Sequence, residues 1–279
     1  MIYFVRLVNV FAIFSYHLYY SITRNYESSF LISFAWFVIS FAIPILFIYI
    51  YITKILKMPL NSFRIRKPKS ITIWILCAAA LPLFISGFYI LLTPGSFTAL
   101  DLNSKLAKQQ IQEAVLSDYL VAGIIEEIIF RGFIMHLLEI RWNKHIAIIV
   151  PPVLIELAYI NCLYLPTTTD DLMYIVVGAA AGIMLSLIAY QSDSIWPGAI
   201  VHGVWNLFIH GGILSISAYH SSSLFTYTLY SESTLLTGGT LGGIAHALPA
   251  FIAYSIIIIL AWRMQKSKSV TNLQTTANG

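Results

Sequence analysis

Two acids and an arginine stand together in an otherwise apolar stretch, VAGIIEEIIFRGF, as Glu126, Glu127 and Arg131. Glu127 and Arg131 are four residues apart, so a helix places them on one face, with the acid first, the better order for an ion pair. A guanidinium in that position neutralises the carboxylate and holds it ionised. Glu126 projects about 100° away around a 3.6-residue turn and is left without the arginine. A carboxylate free of its neighbour's cation in an apolar setting is suited to act as a general base. The plainer alternative is an ion pair that locks helix packing, with the second acid facing a wet crevice.

A second polar cluster lies in IWPGAIVHGVWNLFIH, where His202 and Asn206 share a helical face and His210 follows one turn after Asn206. An imidazole and an amide placed this way can donate hydrogen bonds towards one point, as an oxyanion stabiliser must. The alternative is hydrogen bonding between helices, a common use of polar side chains in membranes. The other histidines considered, His17, His136, His145, His220 and His246, read as interfacial or packing residues. Cys77 and Cys162 lie in separate apolar stretches with neither metal-ligand nor disulfide spacing, and read as reduced packing residues.

The elements that carry these clusters follow from composition. Of 279 residues, 58% are hydrophobic and only 10% charged, and the mean hydropathy is +0.80. A soluble domain carries about a quarter charged residues, so the solvent of this surface is a lipid bilayer. The expected class is all-α, a polytopic integral membrane protein of about eight transmembrane helices, near 2–22, 30–53, 71–92, 119–139, 146–165, 172–190, 195–214 and 243–262. Each must be helical, because backbone groups have no water partner inside lipid. The segment 93–118 reads as an amphipathic stretch on the outer interface, with Ser117 or Asp118 capping the fourth helix. Three portions follow: 1–117, a core at 118–214, and 215–279 with an outer loop, a last span and a polar tail. The N-terminus lacks a basic leader and a small-residue cleavage site and reads as a first span.

Charge sets the orientation. With a cytoplasmic N-terminus, the inner loops hold Lys54, Lys57, Arg64, Arg66, Lys67, Lys69, Arg141, Lys144, Arg263, Lys266 and Lys268, and the outer loops only Arg24, Lys105 and Lys108. This asymmetry obeys the positive-inside rule and places both termini in the cytoplasm. It also accounts for the net charge of +4 without nucleic acid. A transporter built from two similar halves with paired broken helices finds no such symmetry here.

Inside lipid, a charged side chain at a helix centre costs about 2.5–3.5 kcal/mol even on the lenient insertion scale. The two clusters therefore imply a function, and together they carry a resemblance. EEIIFRG resembles the Glu-Glu-x-x-x-Arg motif of the CAAX prenyl protease and bacteriocin-processing (Abi) family of intramembrane proteases, with Phe130 and Gly132 in keeping. HGVWN, ending in Asn206, resembles its His-x-x-x-Asn motif. Between them the family has Phe-x-x-x-His, where LAYIN puts Leu157 and Asn161. The resemblance covers roughly 118–210.

It implies a cell-membrane endopeptidase acting on membrane-associated peptides or proteins. Glu126, Glu127, Arg131, Asn161, His202 and Asn206 would form the site. Glu126 would activate a water, Asn161 at most orient it, and His202 with Asn206 would stabilise the oxyanion. Peptide pheromone or bacteriocin processing, self-immunity and CAAX-like cleavage all fall within the family. Analogy adds a divalent metal such as zinc, although Glu126, His202 and an asparagine make a poor set against the three good ligands and a water that catalytic zinc takes. A catalytically degenerate scaffold or regulator is the alternative, since asparagine cannot accept the water's proton. Glu156, five residues before Asn161, is a further intramembrane acid expected on a different side of its helix. Counting from the expected helix ends at 1.5 Å per residue leaves about 10 Å between Glu126 and His202 along the membrane normal.

Orientation is testable by labelling. With Cys77 and Cys162 replaced by serine, Lys108→Cys should react with a membrane-impermeant maleimide on intact cells, and Lys67→Cys only after lysis. The reverse pattern overturns the assignment.

Overall fold

The computed structural model describes residues 30–163, 168–210, 212–218, 223–239 and 243–277. Helix α1 (Phe30–Ile50) runs into a wide π turn, Tyr51–Ile55, and a 3-10 turn, Leu60–Phe63, leads to α2 (Thr72–Leu92). Strand β1 (Gly95–Ala99) precedes α3 (Lys105–Glu113), which continues through π-helical turns at Ala114–Ile125 and Glu127–Ile134 into α4 (Met135–Arg141). Then come α5 (Lys144–Leu163), α6 (Thr168–Ser192) and α7 (Trp196–Trp205) with a π turn, Asn206–His210. Strands β2 (Leu214–Ser217) and β3 (Phe225–Leu229), the short α8 (Thr234–Thr237), a 3-10 turn at Ile244–His246 and α9 (Leu248–Ala277) complete the order.

Several helices are apolar all round, yet only one face of each is covered by protein. On α2, Trp74, Ala78, Leu81, Ile85 and Tyr89 are buried while Leu76, Leu83, Phe84, Leu91 and Leu92 are exposed. On α9, Ala250, Ala253, Tyr254, Ile257 and Ala261 are buried and Ile252, Ile256 and Ile259 are exposed. An apolar stripe on the outside of a bundle is what lipid contact requires. Among the described residues, four helices are long and apolar enough to cross a membrane, Phe37–Ile55, Thr72–Leu92, Thr169–Ser192 and Leu248–Gln265. This is a membrane protein. The count of about eight spans is not reached among the described residues. The span at 2–22 lies outside them, and α5, which bears Glu156, is twenty largely apolar residues long but runs into residues whose side chains are not described. The segment bearing Glu126 also holds Glu127 and Arg131, and α7, with His202, is shorter.

The all-α expectation needs a further correction. A three-stranded sheet of order β1-β3-β2 is built from the stretches after α2 and after the Asn206–His210 turn. β1 pairs antiparallel to β3, with Gly95 opposite Leu229, and β2 pairs parallel to β3, with Leu214 opposite Phe225. Ser, Thr and aromatic residues suit such short strands, and the Tyr227 hydroxyl donates to Thr93 O at 2.7 Å, tying the sheet to the end of α2.

The expected N-cap at Ser117 or Asp118 is also displaced. Ser104 caps α3, its Oγ accepting from Ala107 N at 3.1 Å, and the backbone stays helical from 105 to 141. The polar stretch 105–113 is therefore the first turns of the long helix.

At the end of the bundle away from the sheet, the loop between α1 and α2 is laced to the turn between α6 and α7. Ile195 N donates to Arg64 O at 3.1 Å, Lys69 N to Ser192 O at 2.9 Å, and Ser194 Oγ to Arg66 O at 2.6 Å. Asp193, at φ 57°, pairs with Arg66 and, at 2.7 Å, with Lys69. Arg64 pairs with Glu139 at 2.6 Å and lies 4.1 Å over the Tyr190 ring.

Burial works against the charge of Asp193, but hydrogen bonds from Lys69 and Arg66 outweigh it and hold the carboxyl below its usual range. A folded-state value below the unfolded one, about 3.9 for Asp, stabilises above that pH and is lost as pH falls through the folded value. Asp193→Asn should therefore lower the detergent melting temperature by about 4 °C or less at pH 7, on the order of 1 kcal/mol for partly exposed pairs. The difference from the parent should close below about pH 4. Equal melting at pH 7 would overturn the assignment.

Candidate active site

The two polar clusters meet because glycine lets their helices touch. A Cβ on Gly123 would lie 2.6 Å from Gly203 Cα, so the backbones of the 114–125 segment and of α7 are in contact. Further along the same antiparallel crossing, a Cβ on Gly198 would lie 3.0 Å from Glu127 Oε2, and one on Gly132 would lie 3.8 Å from Ile195 Cγ2. Small residues at such positions are the usual device for close packing in membranes. Glu126 and Glu127 lie one turn beyond Gly123, and His202 precedes Gly203, so acid and imidazole are brought face to face.

Glu127 Oε1 accepts from Arg131 Nη1 at 2.8 Å and lies 3.0 Å from His202 Nδ1. Arg131 Nη2 donates to Gly182 O at 3.1 Å, which also accepts from Ser186 Oγ at 2.9 Å. The Glu127 side chain is fully buried and that of Arg131 is 5% exposed. An ionised carboxylate only accepts, so Nδ1 of His202 must carry a proton and the ring turns Nε2 away from Glu127. Nε2 lies 3.9 Å from Glu126 Oε2, beyond hydrogen-bond length. The Glu126 side chain is 35% exposed, against 15% for His202. One acid is thus locked and its neighbour in sequence is open.

The expected separation of about 10 Å between Glu126 and His202 does not hold. That figure took the helix to begin at 119, whereas it begins at 105, which carries Glu126 to mid-helix. The wide i→i+5 turns on either side of it are rare and concentrate at functional sites. Asn206 follows one turn after His202 and is buried. Asn161 lies on α5, and its side chain falls outside the described part of the structure.

Glu156 was expected to point elsewhere on its helix than Asn161, whose side chain is not described. Its carboxyl is seated on α6, where a Cβ on Gly178 would meet Oε1 at 2.7 Å, and it is within electrostatic reach of Glu126 and Arg131. Tyr174, within reach of both Glu126 and Glu156, stacks on His246 with centroids 4.0 Å apart and planes at 11°. His246 is in turn within reach of His210. The sequence signal for this side of the pocket is the Gly178/Gly182 spacing of four on α6, which marks a face against which another helix can press polar groups.

A catalytic metal does not fit this donor set. Glu127 Oε1 is engaged by Arg131 and His202, and His202 Nδ1 is engaged by Glu127. That leaves Glu126 and one imidazole nitrogen, short of the three ligands and a water of catalytic zinc. Among the described residues no three His, Cys, Asp or Glu side chains converge to hold an ion.

Residues 112–208 match the family model of the type II CAAX prenyl endopeptidases, described as Rce1-like. The matched segment, about a third of the chain, holds both clusters and the crossing between them. The match likens this segment to the core of that family of membrane endopeptidases. No curated protein and no solved structure matches the chain.

The Glu127–Arg131 pair is open to a direct test. Arg131→Ala strands a fully buried carboxylate and should cost about 3–5 kcal/mol in detergent unfolding. Arg131→Lys should recover less than half, because an ammonium cannot span Glu127 and the Gly182 carbonyl as the guanidinium fork does. The double variant Glu127→Gln/Arg131→Met should be milder than Arg131→Ala alone. A mild Arg131→Ala would show that the pair contributes little.

Proposed function

We propose that the chain is an intramembrane endopeptidase of the CAAX-protease-like type, acting on membrane-associated peptides or proteins, with Glu126 as the base that activates water. The observation that carries this reading is the open Glu126 carboxylate 3.9 Å from His202 Nε2, beside a Glu127 that is buried and doubly engaged. The family match over residues 112–208 supports the same class of reaction.

In this mechanism Glu126 takes a proton from water as the oxygen attacks the scissile carbonyl. Glu127 on Nδ1 stabilises the imidazolium of His202, so Nε2–H is free to donate. With the Asn206 amide it stabilises the oxyanion, a contribution of about 2.7–4 kcal/mol per donor in other acyl-transfer sites. Arg131 acts through Glu127 and positions the imidazole. No step is routed through a metal.

The distribution of lysine and arginine supports a multi-pass arrangement in the cell membrane with both termini cytoplasmic. A second reading, a family core retained as a scaffold or regulator, draws on Asn161 in place of the family histidine.

Detergent-purified protein incubated with farnesylated CAAX peptides and unmodified membrane peptides should cleave at least one. Glu126→Ala should lower kcat/KM by about 10²–10⁴-fold with an unchanged melting temperature. Equal cleavage by Glu126→Ala would sink the mechanism. Inactivity of the parent with activity restored by Asn161→His would favour the scaffold.

A further inference from the structure

Glu156 is an acid beside the pocket to which the proposed mechanism gives no task. It lies one turn after Pro152 on α5, and both residues press on α6. A Cβ on Gly182 would meet Pro152 Cβ at 2.6 Å, and one on Gly178 would meet Glu156 Oε1 at 2.7 Å. Arg131 reaches the same face through its bond to Gly182 O. Gly178 and Gly182 are one turn apart, so the Glu156 carboxyl and the guanidinium stand about 6 Å apart along the α6 axis. Glu126 is also within electrostatic reach of Glu156.

Charge counting then gives it a state. The cation of the pocket, Arg131, is already engaged by Glu127, and Glu126 is a further acid within reach. Another ionised carboxyl with no cation of its own would carry much of the penalty of an isolated charge in lipid. As a neutral carboxylic acid, Glu156 carries no such penalty and holds one transferable proton within electrostatic reach of the base.

We propose that Glu156 is the proton donor of the site, protonating the leaving nitrogen of the bond attacked by the Glu126-activated water. The inference rests on the peptidase reading above. The C–O bond forms as Glu126 takes the water's proton and the carbonyl π pair moves to oxygen. When that pair returns, the C–N bond breaks and its electrons take the proton from Glu156. Glu126 ends protonated and Glu156 ionised, and transfer of one proton from Glu126 to Glu156 resets the site. The sum is water plus amide giving acid plus amine. A base and a separate acid on two walls of one cleft are an established division of labour for carboxyl pairs.

The test compares two substrates with the same acyl segment. One is a peptide amide that the parent cleaves, and the other a p-nitrophenyl ester, whose leaving group departs without a proton. Glu156→Gln should lose about 10²-fold or more in kcat on the amide with KM within about threefold, and stay within about fivefold of the parent on the ester. Glu156→Asp should recover part of the amide rate, and the high-pH limb of the amide kcat profile should vanish in Glu156→Gln. Glu126→Gln should lose both substrates. Near-parental amide cleavage by Glu156→Gln, or equal loss on both substrates, overturns the donor role while the peptidase reading stands. A parent that cleaves no better than Glu126→Gln removes the peptidase reading and the donor with it.

Discussion

A single carboxylate oxygen, Glu127 Oε1, receives both the guanidinium of Arg131 and Nδ1 of His202, and the rest of the pocket is arranged around that bond. In lipid neither partner could be left alone, since an unpaired charge has no water to turn to. The bond therefore fixes the distance between two helices, the tautomer of the imidazole and the anchoring of Arg131 to α6 through Gly182. The glycines at 123, 132, 198 and 203 follow from it. A carboxylate, a guanidinium and an imidazole can converge only if the intervening backbones come within contact distance, and a methyl group at Gly123 or Gly198 would occupy the space required.

Much of this was legible in the sequence where the logic is local. The four-residue spacing of Glu127 and Arg131 gives the ion pair, and the neighbouring position of Glu126 leaves it open. What failed was reasoning about where helices begin. Residues 105–113 are polar enough to look like a surface segment, yet Ser104 starts a helix that runs to Arg141, and the added turns shift Glu126 in depth. The place of Glu156 beside the pocket was not legible for a different reason. Its own helix gives only its direction relative to Asn161, whereas the face that matters is set by the glycines of the helix across from it. The sheet escaped notice because its strands are four or five residues long and β1 finds β3 across more than a hundred positions of sequence.

The two ends of the bundle are closed by different physics. One carries exposed and half-exposed ion pairs on Asp193 and a set of backbone bonds between loops, each weak alone and subject to salt and pH. The other carries a backbone ladder that responds to neither. Between them the interior is apolar except at the clusters, with Trp74 Nε1 bonded to Gln191 Oε1 at 3.0 Å as a further internal polar tie.

The contact of Gly123 with Gly203 is also a fulcrum. Groups close to a pivot travel little when two levers rock, and the lever ends travel far. Glu126 is three residues from the pivot, about 4.5 Å along the axis, so a rocking of about 10° displaces it by under ~1 Å. The start of the helix at Lys105 is eighteen residues away, and the same rocking carries it roughly 5 Å. The bundle could thus widen at its rim to admit a bulky chain while the spacing between acid and imidazole stays nearly fixed.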